Sequence, residues 1–166
     1  MSPEEWLADQ IEVVVSGFFT THHQLQMAAE VLAELTLSAR REAYLRTADG
    51  RALTIRRRSW WKEEYELRDG PDLLASARPR GAFRREIVVQ FGDQQLALRP
   101  AGFWNRGWFL VDASESVLLE VKSRGFFQRG ALLGIREAMD IALVAFTYFL
   151  VHQRWQAEAA AAAGAS

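Results

Sequence analysis

The stretch Ile141-Ala142-Leu143-Val144-Ala145-Phe146-Thr147-Tyr148-Phe149-Leu150-Val151 is apolar on every side, with Thr147 its one clearly polar member. It sits inside a helical pattern that runs from about Ile135 to Gln156. A helix without a polar face cannot lie on a protein surface, so protein or lipid must enclose it. At about 1.5 Å per residue the stretch covers roughly 16 Å, well short of the ~30 Å hydrocarbon core of a bilayer. Arg136, Glu137 and Asp140 precede it, and His152 and Arg154 follow. The balance favours a helix buried in a protein core, and the rest of the chain must supply the enclosure.

Upstream of that helix the apolar period is two. Ala43 to Arg46 and Ala52 to Arg56 flank an Asp49-Gly50 turn, and Glu64 to Leu67 and Leu73 to Arg78 flank Asp69-Gly70-Pro71. Glu86 to Phe91 and Gln95 to Arg99 flank Gly92-Asp93, and Gly107 to Val111 and Val117 to Val121 flank Asp112 to Ser114. Short alternating strands with regularly spaced turn signals predict an all-β barrel or sandwich. Earlier in the chain, Gln24 to Ala28 and Val31 to Leu37 read as strands, against a competing helical pattern through Leu25, Ala28, Leu32 and Leu35.

The N-terminal reading is a short helix from Pro3 to Ser16. Ser2 is suited to cap it, Pro3 to its first position, and Glu4 and Glu5 to the positive end of its dipole. Leu7, Ile11, Val14, Val15 and Phe18 fall at helical spacing, while the β-branched run Val13-Val14-Val15 supports a strand from Ile11 to Phe19 instead. The expected organisation is an N-terminal helical segment over 1–20, a barrel over 21–156 containing the helix 135–156, and a flexible alanine-rich tail over 157–166.

An internal repeat ties the strands together. At an offset of 43 residues, Leu53 falls on Leu96, Ile55 on Leu98, Trp60 on Phe103 and Trp61 on Trp104. In the same register Tyr65 falls on Trp108, Leu67 on Leu110 and Asp69 on Asp112. After a one-residue shift, Arg80-Gly81-Ala82-Phe83 falls on Arg124-Gly125-Phe126-Phe127. Units of this kind bury an apolar face only by stacking on one another. A sheet closed around the C-terminal helix removes exposed strand edges and encloses the helix in one step.

The paired strands, the segment Arg124-Gly125-Phe126-Phe127-Gln128-Arg129-Gly130, and an apolar helix ending in His152-Gln153-Arg154-Trp155 resemble the tubby-like barrel superfamily. That group takes in the tubby C-terminal domain, the LURP-one-related proteins and the phospholipid scramblases. The resemblance covers Val31 to Gln156 and implies a mainly β fold, a closed antiparallel barrel of about twelve strands threaded by the final helix. Tubby proteins bind phosphoinositides through basic side chains, but none of their lipid-binding positions can be matched here. The chain also lacks the acidic calcium-binding and cysteine-rich segments of scramblases.

Charge is unevenly spread: −5 over residues 1–50, +6 over 51–136 and −2 beyond. The basic block admits anionic partners. Arg56 and Arg58 share one strand face, as do Arg78 and Arg80, and Lys62 and Arg84 lie nearby, so a guanidinium cluster for phosphate or a lipid head group is expected there. Trp60 and Trp61 are candidates for a membrane interface. The competing reading is a solvated strand face beside aromatic core positions, which the recurrence of the aromatic pair at Phe103-Trp104 favours. Anionic phospholipid or a membrane surface is therefore one expected partner and a protein partner the alternative. No nucleic-acid-reading motif accompanies the basic block.

Chain-wide absences narrow the chemistry. With 0 cysteines there are no disulfides or thiolate ligands. Adjacent His22 and His23 point oppositely in a strand and do not pair as metal ligands, and His152 is expected at the helix exit. No nucleophile triad, zinc motif or phosphate loop is present. The expectation is a non-enzymatic binding module with no cofactor and no metal. The acidic start, Met1-Ser2-Pro3-Glu4-Glu5, is unlike a signal peptide, so the cytoplasm is the expected compartment.

Overall fold

The computed structural model describes residues 10–38, 42–59, 61–81, 85–102, 106–124 and 129–164. Among them are twelve strands: β1 (Gln10–Ser16), β2 (Thr21–Met27), β3 (Glu30–Leu37), β4 (Glu42–Thr47), β5 (Ala52–Arg57), β6 (Tyr65–Asp69), β7 (Asp72–Arg80), β8 (Glu86–Phe91), β9 (Gln94–Pro100), β10 (Trp108–Val111), β11 (Val117–Ser123) and β12 (Ala131–Ile135). One helix, α1 (Ile141–Gly164), follows them. Each strand pairs antiparallel with its sequence neighbours, and β1 pairs with β12, so the sheet closes on itself.

Closure depends on the segment Gln10–Ser16, for which a helix is the sequence expectation. It is a strand, with Ile11 and Val13 fully buried and Val14 turned outward. Val13 to Val15 suit a pleated surface, and a helix there would leave β2 and β12 with open edges. Residues 1–9, the rest of that expected helix, lie outside the described residues. The barrel therefore begins at Gln10 rather than at 21.

The inward row is apolar on almost every strand: Ile11, Val13, Leu25, Leu35, Leu45, Leu53, Ile55, Leu67, Val89, Leu98, Leu110, Leu119 and Leu133 are all buried. They meet α1, in which Ala142 through Val151 are buried without a break. A helix lying on the outside of a wall would expose one face in every turn, so α1 occupies the lumen. It runs closest to β3, β4 and β11. Ala33 and Ala43 face it from the first two, and their small side chains leave room for that approach.

Helix α1 starts at Ile141 rather than Ile135, because Ala131 to Ile135 pair with β1 and β11 as β12. The start is fixed by Asp140: its Oδ1 accepts from the Ala142 N–H (2.9 Å) and its carbonyl from the N–H of Leu143 (3.0 Å) and Val144 (3.1 Å). Arg51, in the β4–β5 turn, donates to both oxygens of that carboxylate (3.0 and 2.7 Å). This pairing holds the Asp140 carboxyl below the ordinary carboxylate range. At its other end α1 continues through the alanine-rich segment as far as Gly164, in place of the expected flexible tail.

The 43-residue repeat is four strands long. It carries β5 onto β9 and β6 onto β10, and Tyr65 and Trp108 both open the second strand of their unit.

Candidate functional site

An up-and-down barrel sorts its connections alternately to two ends. At the end where α1 enters lie the turns β2–β3, β4–β5, β6–β7, β8–β9 and β10–β11 and the β12–α1 link. The charged residues there are Glu30, Asp49, Asp69, Asp72, Asp93, Asp112, Glu115, Glu137 and Asp140, against Arg51 and Arg136. At the end where α1 leaves lie the connections β1–β2, β3–β4, β5–β6, β7–β8, β9–β10 and β11–β12. Among the described residues, this exit end carries Phe18, Phe19 and Trp61 with Arg58, Lys62, Arg85, Arg106, Arg124, Arg129 and Arg154; its acids are Glu63, Glu64 and Glu158, with Glu42 and Glu86 at the adjoining strand ends. Among the described residues the molecule thus has an acidic end without exposed aromatic side chains and a basic end with them.

Three aromatic side chains at the exit end face solvent: Phe18 is 93% exposed, Phe19 96% and Trp61 64%. The Phe18-Phe19 tip is built rather than loose. Gly17 has φ +89°, and a Cβ there would stand 2.1 Å from the Thr20 carbonyl oxygen, so only glycine fits. Arg129 donates to the Gly17 carbonyl (2.8 Å) and ties the tip to the β11–β12 connection. Trp155 closes the mouth around the departing helix. Its indole N–H donates to the Arg106 carbonyl (3.0 Å), and the Arg106 guanidinium lies 5.6 Å over the ring.

The residues expected to form a phosphate cluster sit mainly on the wall, and the structure does not gather them into one site. Arg56 stands 3.0 Å from Glu42, Arg58 4.0 Å from Glu64, and Arg80 2.5 Å from Glu86. Cross-strand register explains the pairing, since Glu42, Arg56, Glu66, Ser76, Gln90 and Gln95 form one row across β4 to β9. Arg58 and Arg78 do meet, on a shallow groove of about 300 Å³ that Glu64 and Glu66 also line. Exposed pairs of this kind add about 0–1 kcal/mol each to stability, but they cancel the field that a phosphate would feel. Lys62 belongs to the exit end, where its carbonyl accepts from Arg57 (3.0 Å). Trp60 and Arg84 lie outside the described residues. Trp61 is at the surface rather than in the core position that the repeat suggested.

A polar cluster is buried inside the exit end. His23 points into the lumen and is fully buried, while His22 points outward toward Glu34 and Thr36. The His23 Nδ1 lies 2.6 Å from the Tyr148 hydroxyl and its Nε2 2.9 Å from Thr21 Oγ1. The His152 ring is edge-on to it at 4.8 Å. Burial, reinforced by the neighbouring His152 and Arg129, lowers the His23 pKa to about 3. Burial, with Arg129 again, lowers that of His152 to about 4. Tyr148 is pushed up by burial, so its hydroxyl stays protonated. Both rings are therefore neutral at pH 7, and the cluster is a satisfied polar core rather than a charged site.

With this geometry a likeness to a known protein can be placed. The chain is similar in fold to a LURP-one-related protein of Arabidopsis thaliana. That X-ray structure matches with a TM-score of 0.58 over 92% of this chain and 95% of the other, at 13% sequence identity. The likeness is one of architecture, a closed twelve-strand barrel with a C-terminal helix packed against it. No family's sequence model matches the chain, and no curated protein sequence does.

Reading the sequence strand by strand missed Phe18, Phe19, Arg106, Arg129 and Arg154, because their common location follows only from the alternation of connections between two ends. One signal was present. Adjacent phenylalanines directly after a glycine cannot both face a core from a strand, so at least one must be displayed.

Proposed function

We propose that this protein is a non-enzymatic module that docks the exit end of its barrel on an anionic membrane surface. The observation that carries the reading is the exposure of Phe18, Phe19 and Trp61 at the end that also holds Lys62, Arg85, Arg106 and Arg129. Aromatic side chains partition into the head-group layer, and Lys and Arg are drawn to its negative potential. Burying each aromatic contributes about 1.5–3 kcal/mol when complete, and each basic residue near the surface about 1 kcal/mol. The acidic entry end is repelled by the same potential, so the two ends together set one orientation.

Among the described residues no helix is long and apolar enough to cross a membrane. Association is then peripheral, at the anionic cytoplasmic leaflet. The wall is no counterpart of a membrane-spanning barrel's lipid-facing band, since its outward rows carry Glu12, Glu34, Arg46, Arg56, Glu66 and Glu120.

Co-sedimentation with phosphatidylcholine vesicles, with and without phosphatidylserine, tests the reading at low and high salt. Binding should require phosphatidylserine, fall with salt, and weaken about a hundredfold in Phe18→Ser/Phe19→Ser. Arg56→Ala/Arg58→Ala should bind as the parent does. Salt-insensitive binding, or loss on changing Arg56 and Arg58 with none on changing Phe18 and Phe19, overturns it.

A further inference from the structure

Where α1 leaves the barrel, a cleft of about 730 Å³ opens between the helix and the β9–β10 connection. Arg85, Arg106 and Arg154 line it, with Glu158 the one carboxylate among its lining residues. Its floor is Trp108, which is buried, and one flank is the helix surface at Ala157 and Ala161, one turn apart. Among the described residues, Pro100, Gly102 and Gly107 form the opposite flank, and they project little into the space. The cleft therefore joins a cationic rim to an apolar trough along a helix, which matches neither a free inorganic anion nor a neutral hydrocarbon.

One atom in this region is incompletely partnered. The buried Nη2 of Arg154 stands 3.3 Å from a Glu63 carboxylate oxygen, an ion pair without hydrogen-bond geometry. Such a pair leaves hydrogen-bonding capacity on the guanidinium, which a phosphate oxygen takes up through a charge-assisted hydrogen bond. Arg106 is held at the rim by its stack over Trp155 and by the bond from that indole to its carbonyl. A guanidinium already fixed in place loses little freedom on binding.

We propose that this cleft binds one molecule of an anionic amphiphile, with its phosphate between Arg106, Arg154 and Arg85 and the first part of its chain against Trp108, Ala157 and Ala161. The proposal rests on the membrane-docking reading, because docking by the exit end is what brings the cleft against head groups. Docking and capture share Arg85 and Arg106 but are separable elsewhere: Phe18, Phe19 and Trp61 serve the first, and the trough at Ala157 and Ala161 serves the second.

Titration calorimetry with three soluble probes tests the assignment. Dihexanoyl phosphatidic acid below its micelle concentration carries both parts, glycerol 3-phosphate the head alone, and dihexanoylglycerol the chains alone. The first should bind at least about tenfold more tightly than either of the others. Arg106→Gln and Arg154→Gln should each weaken it about tenfold. Ala161→Trp fills the trough from an exposed helix position that the fold does not depend on. It should weaken dihexanoyl phosphatidic acid while leaving glycerol 3-phosphate and vesicle co-sedimentation unchanged. Equal affinity for glycerol 3-phosphate, or full affinity in Ala161→Trp, overturns the amphiphile site even if vesicles are bound. Absence of vesicle binding in the parent protein overturns the docking reading instead.

Discussion

Lowering the pH from 7 to 5 should destabilise this barrel through two histidines, His23 fully buried and His152 half-buried. His23 and His152 are neutral in the fold, with pKa values lowered to about 3 and about 4, whereas in the unfolded chain both return to 6.5. Between those limits the unfolded chain binds more protons than the folded one, so stability is fully present above about pH 6.5 and falls as the pH drops. At pH 5 each ring contributes a loss of about 2 kcal/mol, or about 4 kcal/mol for the pair, at roughly 1.4 kcal/mol per pH unit. The groups beside the rings are Tyr148, Thr21, Arg129 and Gln156, and no carboxylate stands among them to stabilise a protonated ring. Carboxylates with lowered pKa, such as Asp49, Asp112 and Asp140, lose their contribution mainly below pH 5. Urea unfolding followed by tryptophan fluorescence at pH 7 and pH 5 measures the difference directly. In His23→Leu/Tyr148→Phe/His152→Gln, which removes both titrating rings and the hydroxyl His23 satisfies, the difference should shrink below about 1 kcal/mol. A parent protein equally stable at both pH values, or a variant with the parent's slope, refutes the assignment of neutral rings.

Three further outcomes follow from the packing. Phe146→Ala, at the buried centre of α1, should cost about 3–5 kcal/mol, read as a drop in the urea midpoint. Asp140→Ala removes the helix cap and the bidentate partner of Arg51, and should cost about 2 kcal/mol, with Asp140→Asn milder because it keeps a capping oxygen. Gly17→Ala should reshape the Phe18-Phe19 tip, lowering vesicle binding more than it lowers thermal stability, since the clash is with a carbonyl within the tip itself.

Much of the architecture is legible in the sequence because its two signals are physically independent. Leu45, Leu53, Ile55, Leu67, Leu98 and Leu110 mark one face of alternating strands, and turn residues punctuate them. Ile141 to Val151 then demands an enclosure that only a closed sheet provides. Boundaries were less legible where one apolar run serves two elements. Ala131 to Ile135 is apolar enough to pass for the first turns of α1, and only its hydrogen bonding with β1 and β11 decides the matter. Ile11 to Val15 fits both periods over a span too short to choose between them.

The site was less legible for a different reason. Sequence shows that Arg56, Arg58, Arg78 and Arg80 are basic, but not that Glu42, Glu64 and Glu86 stand beside three of them. Conversely, Phe18, Trp61, Arg106 and Arg129 are far apart in the chain and come to one end only because the strands alternate in direction. Single-residue chemistry was readable; the field it makes with its neighbours depended on register.

The orientation of the barrel on a membrane is the most direct test of the account. The chain has 0 cysteines, so single labels at Phe18→Cys, Tyr44→Cys and Asp93→Cys report separately on the exit end, the wall and the entry end. With phosphatidylserine vesicles carrying a quencher on the lipid chains, fluorescence from the label at position 18 should be quenched and that from positions 44 and 93 should not. Quenching at 44 or 93 without quenching at 18 would contradict docking by the exit end.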